Sequence, residues 1–305
     1  MRKLAVLIGV LVGSLGAGGA HAFVRYTTDQ GVPFYWQTSC VGITIYPSGF
    51  TEMSTDEVAK AVSAAAHTWS PDDVTCPDSV SHPFLEIVPS LSPTGTATAK
   101  YDARNVLIFQ NDTWEHAGDA LALTTVLAKG DGRIVDADIE VNGTPGLQWE
   151  NIDPGADVSS GHGIDVQDLQ NALTHEFGHF IGLDHTCYTP DTVSGTTTKP
   201  RPNDNLGQPV PDCSSASDAI RATVMFPSTA IGETSKRVLS PDDVNAVCTI
   251  YPQNQDPQDC AMDSLNDGLT CATGAVASKP RAPLLALAVF GLGAIGAGRL
   301  RRRRR

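Results

Sequence analysis

Eleven residues in the middle of the chain, His175 to His185 (HEFGHFIGLDH), combine residue types and spacings that can do chemistry. On a helix, His175 and His179 lie one turn apart on the same face, so both imidazoles can reach one ion, and Glu176 stands beside them. Two ligands alone hold zinc poorly. Gly182 can adopt the positive φ that ends the helix and turns the chain, which lets His185 return to offer a third nitrogen. Three protein ligands leave one position of a single zinc ion open for water, the arrangement of a catalytic rather than a structural site. Zinc brings the pKa of such a water towards about 7, and Glu176 is placed to act as general base in attack on a carbonyl and then to pass the proton to the leaving amine. A solvated helix face could carry any one of these residues by chance; five together at this spacing are far harder to explain that way.

The elements that must position this segment can be read from hydrophobic periodicity. A helix starts near Asp165 and runs through Leu169, Leu173 and Phe177 to about Ile181. Ahead of it, Val41 to Tyr46 reads as a strand. Val58, Ala61, Val62, Ala65 and Trp69 form the apolar stripe of a helix capped by Ser54, Thr55 or Asp56 and ended by Pro71. Further strands are expected at Phe84 to Val88, Val106 to Phe109, Leu121 to Leu127 and Ile134 to Val141, the last two joined by the turn Gly130-Asp131-Gly132. Residues 186–222, rich in Pro, Thr, Ser, Asp and Gly, read as a long irregular loop. A last helix opens at Ser240-Pro241-Asp242-Asp243, where Ser can cap, Pro suits the first turn and the acids favour the positive helix end.

The 305 residues suffice for one domain with terminal extras. Residues 1–22 read as a secretory signal, with Arg2 and Lys3 before an apolar run and Ala20-His21-Ala22 before a mature start at Phe23. Residues 253–281 read as a polar linker, and 282–305 as a short apolar, transmembrane-type span followed by an arginine cluster. Of 21 basic residues, 2 lie in 1–22 and 8 in 272–305, where no acid occurs, so the body keeps 11 against 34 acidic ones. That surface repels nucleic acid and anionic membranes, fits a soluble extracellular protein, and leaves room for Ca2+ at sites that cannot be assigned. Seven cysteines in an exported chain argue for disulfides. Proximity suggests Cys40 with Cys76, Cys187 with Cys213 and Cys248 with Cys260, leaving Cys271 unpaired.

The zinc segment together with Ala222-Thr223-Val224-Met225-Phe226-Pro227 resembles the metzincin signature of a HExxHxxGxxH helix followed by a Met-turn, here at Met225. VMFP, the final helix LSPDDVNAVCTIYP and GLDH after the helix break make the chain most similar to the matrixins over roughly residues 33–252. The resemblance implies an α+β fold: a twisted mixed β-sheet with three main helices, and a zinc cleft between upper and lower subdomains, within a catalytic domain at 23–252. It also implies that an edge strand at Leu121, Ala122, Leu123, Thr124 and Thr125 holds an extended substrate as an added β-strand. Departures from the family are as informative. No prodomain-length segment separates Ala22 from the catalytic part, His116 and His162 stand alone so no second zinc is assigned, and the loop from Thr186 to Arg221 is long, so substrate preference cannot be carried over.

The activity so implied is that of an exported, monomeric zinc metalloendopeptidase acting on proteins or peptides. The alternatives are a catalytically silent, zinc-stabilised adhesin or binding protein, which the intact Glu176 speaks against, and a zinc hydrolase of another substrate class. The tail, with Cys271 in GLTCATG, then the apolar run and terminal arginines, resembles C-terminal sorting signals of some Gram-negative bacteria, including myxobacteria. By that resemblance the protein ends at the cell surface or is released, and touches membrane only through its tail.

Overall fold

The structure is a computed structural model that describes residues 23–116, 120–153, 166–190, 192–193, 196–197, 200–260 and 286–294. The signal segment, His162, Asp165, Cys271 and the terminal arginines lie outside these.

Helix α1 (Thr55–His67) starts where its capping residues dictate. The Ser54 hydroxyl accepts from the Glu57 amide, and the Glu57 carboxylate accepts from the Ser54 amide, so two otherwise orphaned donors are satisfied reciprocally. Its buried stripe is Val58, Ala61, Val62, Ala65 and Ala66, which packs on helix α2 (Leu169–Phe180) and on the sheet. Helix α3 (Pro241–Ile250) repeats the logic with Ser240, Pro241 and Asp243.

The strands of the main sheet are β1 (Cys40–Tyr46), β2 (Glu86–Leu91), β3 (Val106–Gln110), β4 (Ala120–Ala128), β5 (Ile134–Asn142), β6 (Ser228–Thr229) and β7 (Ala286–Ala294). They lie in the order β6-β7-β4-β5-β3-β1-β2. Strands β5, β3, β1 and β2 run parallel, and β4 returns antiparallel to β5. Strands β4, β5, β3, β1 and β2 together with the helices make a mixed, α+β arrangement. Helix α2 crosses the sheet over β4 and β5, and Leu169, Leu173, Phe177 and Phe180 join the core there with Trp69, Trp149 and Ile139.

Three expectations need correction. Two of the disulfides pair across the fold: Cys40 with Cys260 and Cys76 with Cys248, whereas Cys187–Cys213 pairs as proximity suggested. After α3 the chain returns along the start of the sheet, where the Phe84 amide donates to the Tyr251 carbonyl and the Ser39 amide to Asp259 Oδ1, and this brings distant cysteines together. Three disulfides are typical of extracellular proteins. The cap of α2 is Asp168, because Val166–Asp168 forms a short strand against Gln148–Glu150. Finally, residues 286–294 of the apolar tail form β7 on the outer side of β4, so β4 is not an edge. Among the described residues no helix is long and apolar enough to cross a membrane.

Candidate metal centre

Helix α2 is fixed at both ends by side chains from elsewhere. At its start, Asp168 accepts from the Asn171 amide at 2.7 Å and the Ile152 amide at 2.9 Å, and it forms a bidentate ion pair with Arg237. At its end the carbonyls of Phe180 and of the two residues after it each receive a donor from elsewhere in the fold. Trp36 Nε1 donates to Phe180 O at 2.8 Å, the Tyr251 hydroxyl to Ile181 O at 2.7 Å and the Tyr26 amide to Gly182 O at 3.0 Å. Trp69 Nε1 donates to Thr174 O at 2.9 Å, which holds α2 against α1.

Gly182 then turns the chain at φ +99°, and a Cβ there would lie 2.8 Å from the Phe34 carbonyl oxygen, so both conformation and space select glycine. Leu183–Asp184 pairs antiparallel with Val24–Arg25. The pairing delivers His185 to the two helical histidines. Its Nε2 lies 3.2 Å from His175 Nε2 and 3.1 Å from His179 Nε2. A tetrahedral ion with metal–nitrogen bonds of about 2.0–2.1 Å sets its ligand nitrogens roughly 3.3–3.4 Å apart. The spacing fits.

Orientation fits too. His175 Nδ1 faces the Val224 carbonyl at 2.6 Å and His179 Nδ1 faces the Leu183 carbonyl at 2.9 Å. Carbonyls there place each proton on Nδ1 and leave the Nε2 lone pairs pointing inward. The Tyr26 hydroxyl lies 2.5 Å from the same His179 nitrogen. Burial, followed by the nearby Lys236 cation and the other two histidines, holds the His175 imidazole well below the usual histidine range, in the neutral form a metal takes. Thus three histidines that could hold a metal ion converge.

Met225 sits under this group. The preceding Val224 turns its carbonyl to His175 and its amide to Asp243 Oδ2 at 2.9 Å, so the first turn of α3 braces the loop. Burial pushes the Asp243 carboxyl up, against the opposing effect of donors from Ser240 and Val224. The methionine sulfur packs on Gly178, where a Cβ would meet it at 2.1 Å. The sequence signals this only as a glycine inside a helical pattern.

Glu176 is buried, and Thr124 Oγ1 on β4 donates to its Oε2 at 2.6 Å. Of the candidate substrate-strand residues, Leu121, Ala122, Leu123 and Thr124 are buried and Thr125 is half-buried. Their strand pairs with β5 on one side and β7 on the other. Sequence reasoning gave Thr124 a backbone role; its hydroxyl against the glutamate is new. Lys236 was also missed: it is buried, donates from Nζ to the Phe226 carbonyl, and is pushed down to about 8 by burial, against the opposing pull of Glu233, Asp243 and Glu176. A lone lysine in a loop carries no sequence signal for such burial. His116 instead lies against Glu140 at 3.3 Å, apart from the metal group.

The chain matches no protein-family model and no curated protein.

Proposed function

We propose that the protein is an exported zinc metalloendopeptidase of the metzincin type, with His175, His179 and His185 as ligands and Glu176 as general base. The observation that carries this reading is the convergence of three inward-facing Nε2 atoms beside a buried glutamate on the same helix. A zinc ion bound there would polarise a carbonyl and lower the pKa of a coordinated water. Glu176, adjacent to the first ligand and oriented by Thr124, takes the proton from the attacking water and returns it to the departing amine. Met225, wedged on Gly178 and braced through Asp243, keeps the floor of the site rigid. Protein or peptide substrates, a monomeric state and location at the envelope or outside the cell complete the proposal; the acidic body and the disulfides support the last point.

The test is casein cleavage by the protein with and without a chelator, with zinc added back. Cleavage should be lost on chelation and restored by zinc. Glu176→Ala should lower turnover by about 10²–10⁴ while zinc stays near one per chain, because the residue moves protons without binding metal. Undiminished turnover in that variant would remove Glu176 from the mechanism.

A further inference from the structure

The outer side of β4 is occupied by the chain itself. Strand β7 pairs antiparallel with β4 from Ala286 opposite Ala128 to Gly293 opposite Ala120, with Phe290 opposite Thr124, the residue whose hydroxyl holds Glu176. On its other side β7 pairs in parallel with β6, Gly293 opposite Ser228 and Ala294 opposite Thr229, and β6 begins three residues after Met225. It also lies alongside α2, with Cα atoms within 8 Å. An extended segment therefore lies along the outer side of β4, next to the metal centre, and meets β6 at its last two residues. With it in place, His175, Glu176 and His179 are all 0% exposed, and only His185 of the group is half-buried. A hydrolase must admit substrate and water to these groups, and an extended strand lying along β4 stands where a substrate strand would pair.

We propose that residues 286–294 are an intramolecular occupant of the substrate cleft, so that the C-terminal segment keeps the enzyme latent until it is displaced or removed. This rests on the peptidase reading for its functional half, although the docking itself does not. Two features favour a self-strand over an adventitious pairing. Backbone hydrogen bonds to a strand are indifferent to side chains, so an uncharged run such as ALAVFGLGA can pair without introducing a buried charge. The tether is anchored as well: Cys260 is disulfide-bonded to Cys40 at the start of β1, which holds the root of the tail to the domain and keeps its effective concentration high.

The experiment uses the full chain and the double variant Val289→Pro/Phe290→Pro. Val289 and Phe290 lie opposite Thr125 and Thr124. Adjacent residues of a strand turn their backbone groups to opposite sides, so whichever of the two turns its amide to β4, a proline there removes that donor. Hydrogen–deuterium exchange of residues 120–128 and the rate of casein cleavage are then compared with the unaltered chain. Alternate amides of β4, those not bonded to β5, should exchange at least about tenfold faster, and cleavage should rise by at least about tenfold as the open population grows. A synthetic peptide of residues 286–294 carrying added lysines should restore both protection and inhibition in the variant. Unchanged exchange overturns the docking. Faster exchange with an unchanged, nonzero cleavage rate overturns latency. If neither protein cleaves casein, the peptidase reading fails, and exchange alone still decides whether the tail occupies the cleft.

Discussion

The two walls beside the histidine group, α2 and β4, are held by different means. The α2 wall is fixed by side chains reaching across the fold: Trp36, Tyr251 and Trp69 onto helix carbonyls, Arg237 onto the cap, Val224 and Leu183 carbonyls behind the histidines. The β4 wall is fixed by backbone pairing, with β5 on one side and β7 on the other. The difference teaches where specificity resides. A wall built from side chains holds atoms in place and tolerates few substitutions. A wall built from main chain accepts any extended segment that fits and can exchange one for another.

The sharpest way to break this comparison is at a ligand. His185→Ala should reduce bound zinc well below one per chain and abolish casein cleavage with it, because two imidazoles on one helix hold the ion poorly. Zinc content by atomic emission is the measurement, and full retention of metal would place the third ligand elsewhere. Smaller but more telling is Tyr26→Phe. Removing only the hydroxyl that lies 2.5 Å from His179 Nδ1 should weaken zinc affinity by about 10–100-fold, with turnover nearly recovered at saturating zinc. A chelator-competition titration reads it, and an unchanged affinity would mean that Leu183 alone orients the ring. The smallest effect is expected at Gly178→Ala. The new methyl would stand 2.1 Å from the Met225 sulfur, and moving that side chain should cost about 1–3 kcal/mol, measured as a shift in the denaturant midpoint. No shift would show that Met225 is loosely packed.

Short-range chemistry made part of this legible in advance. Periodicity and capping residues announced α1 and α3, since Ser54 with Glu57 and Ser240 with Asp243 satisfy amides only three residues away. Gly130-Asp131-Gly132 announced the turn between β4 and β5 in the same way. The start of α2 was misplaced because the cap that counts, Asp168, is chosen by a strand pairing with residues 148–150 and by Arg237, neither of which is local.

What the sequence by itself determined is the set of groups whose relation is intrahelical or one turn long: His175, Glu176 and His179 on one face, Gly182 to end the helix, and His185 within reach of the return. Helix geometry fixes those distances whatever surrounds them. What only the tertiary structure decided is everything that closes a long loop: Tyr26 behind His179, Thr124 on Glu176, Asp243 under the Val224–Met225 segment, Cys40 with Cys260, and the tail strand laid along β4. Backbone pairing carries no residue code, and contacts between segments more than 50 residues apart depend on how the sheet and helices stack, so no spacing in the chain could announce them.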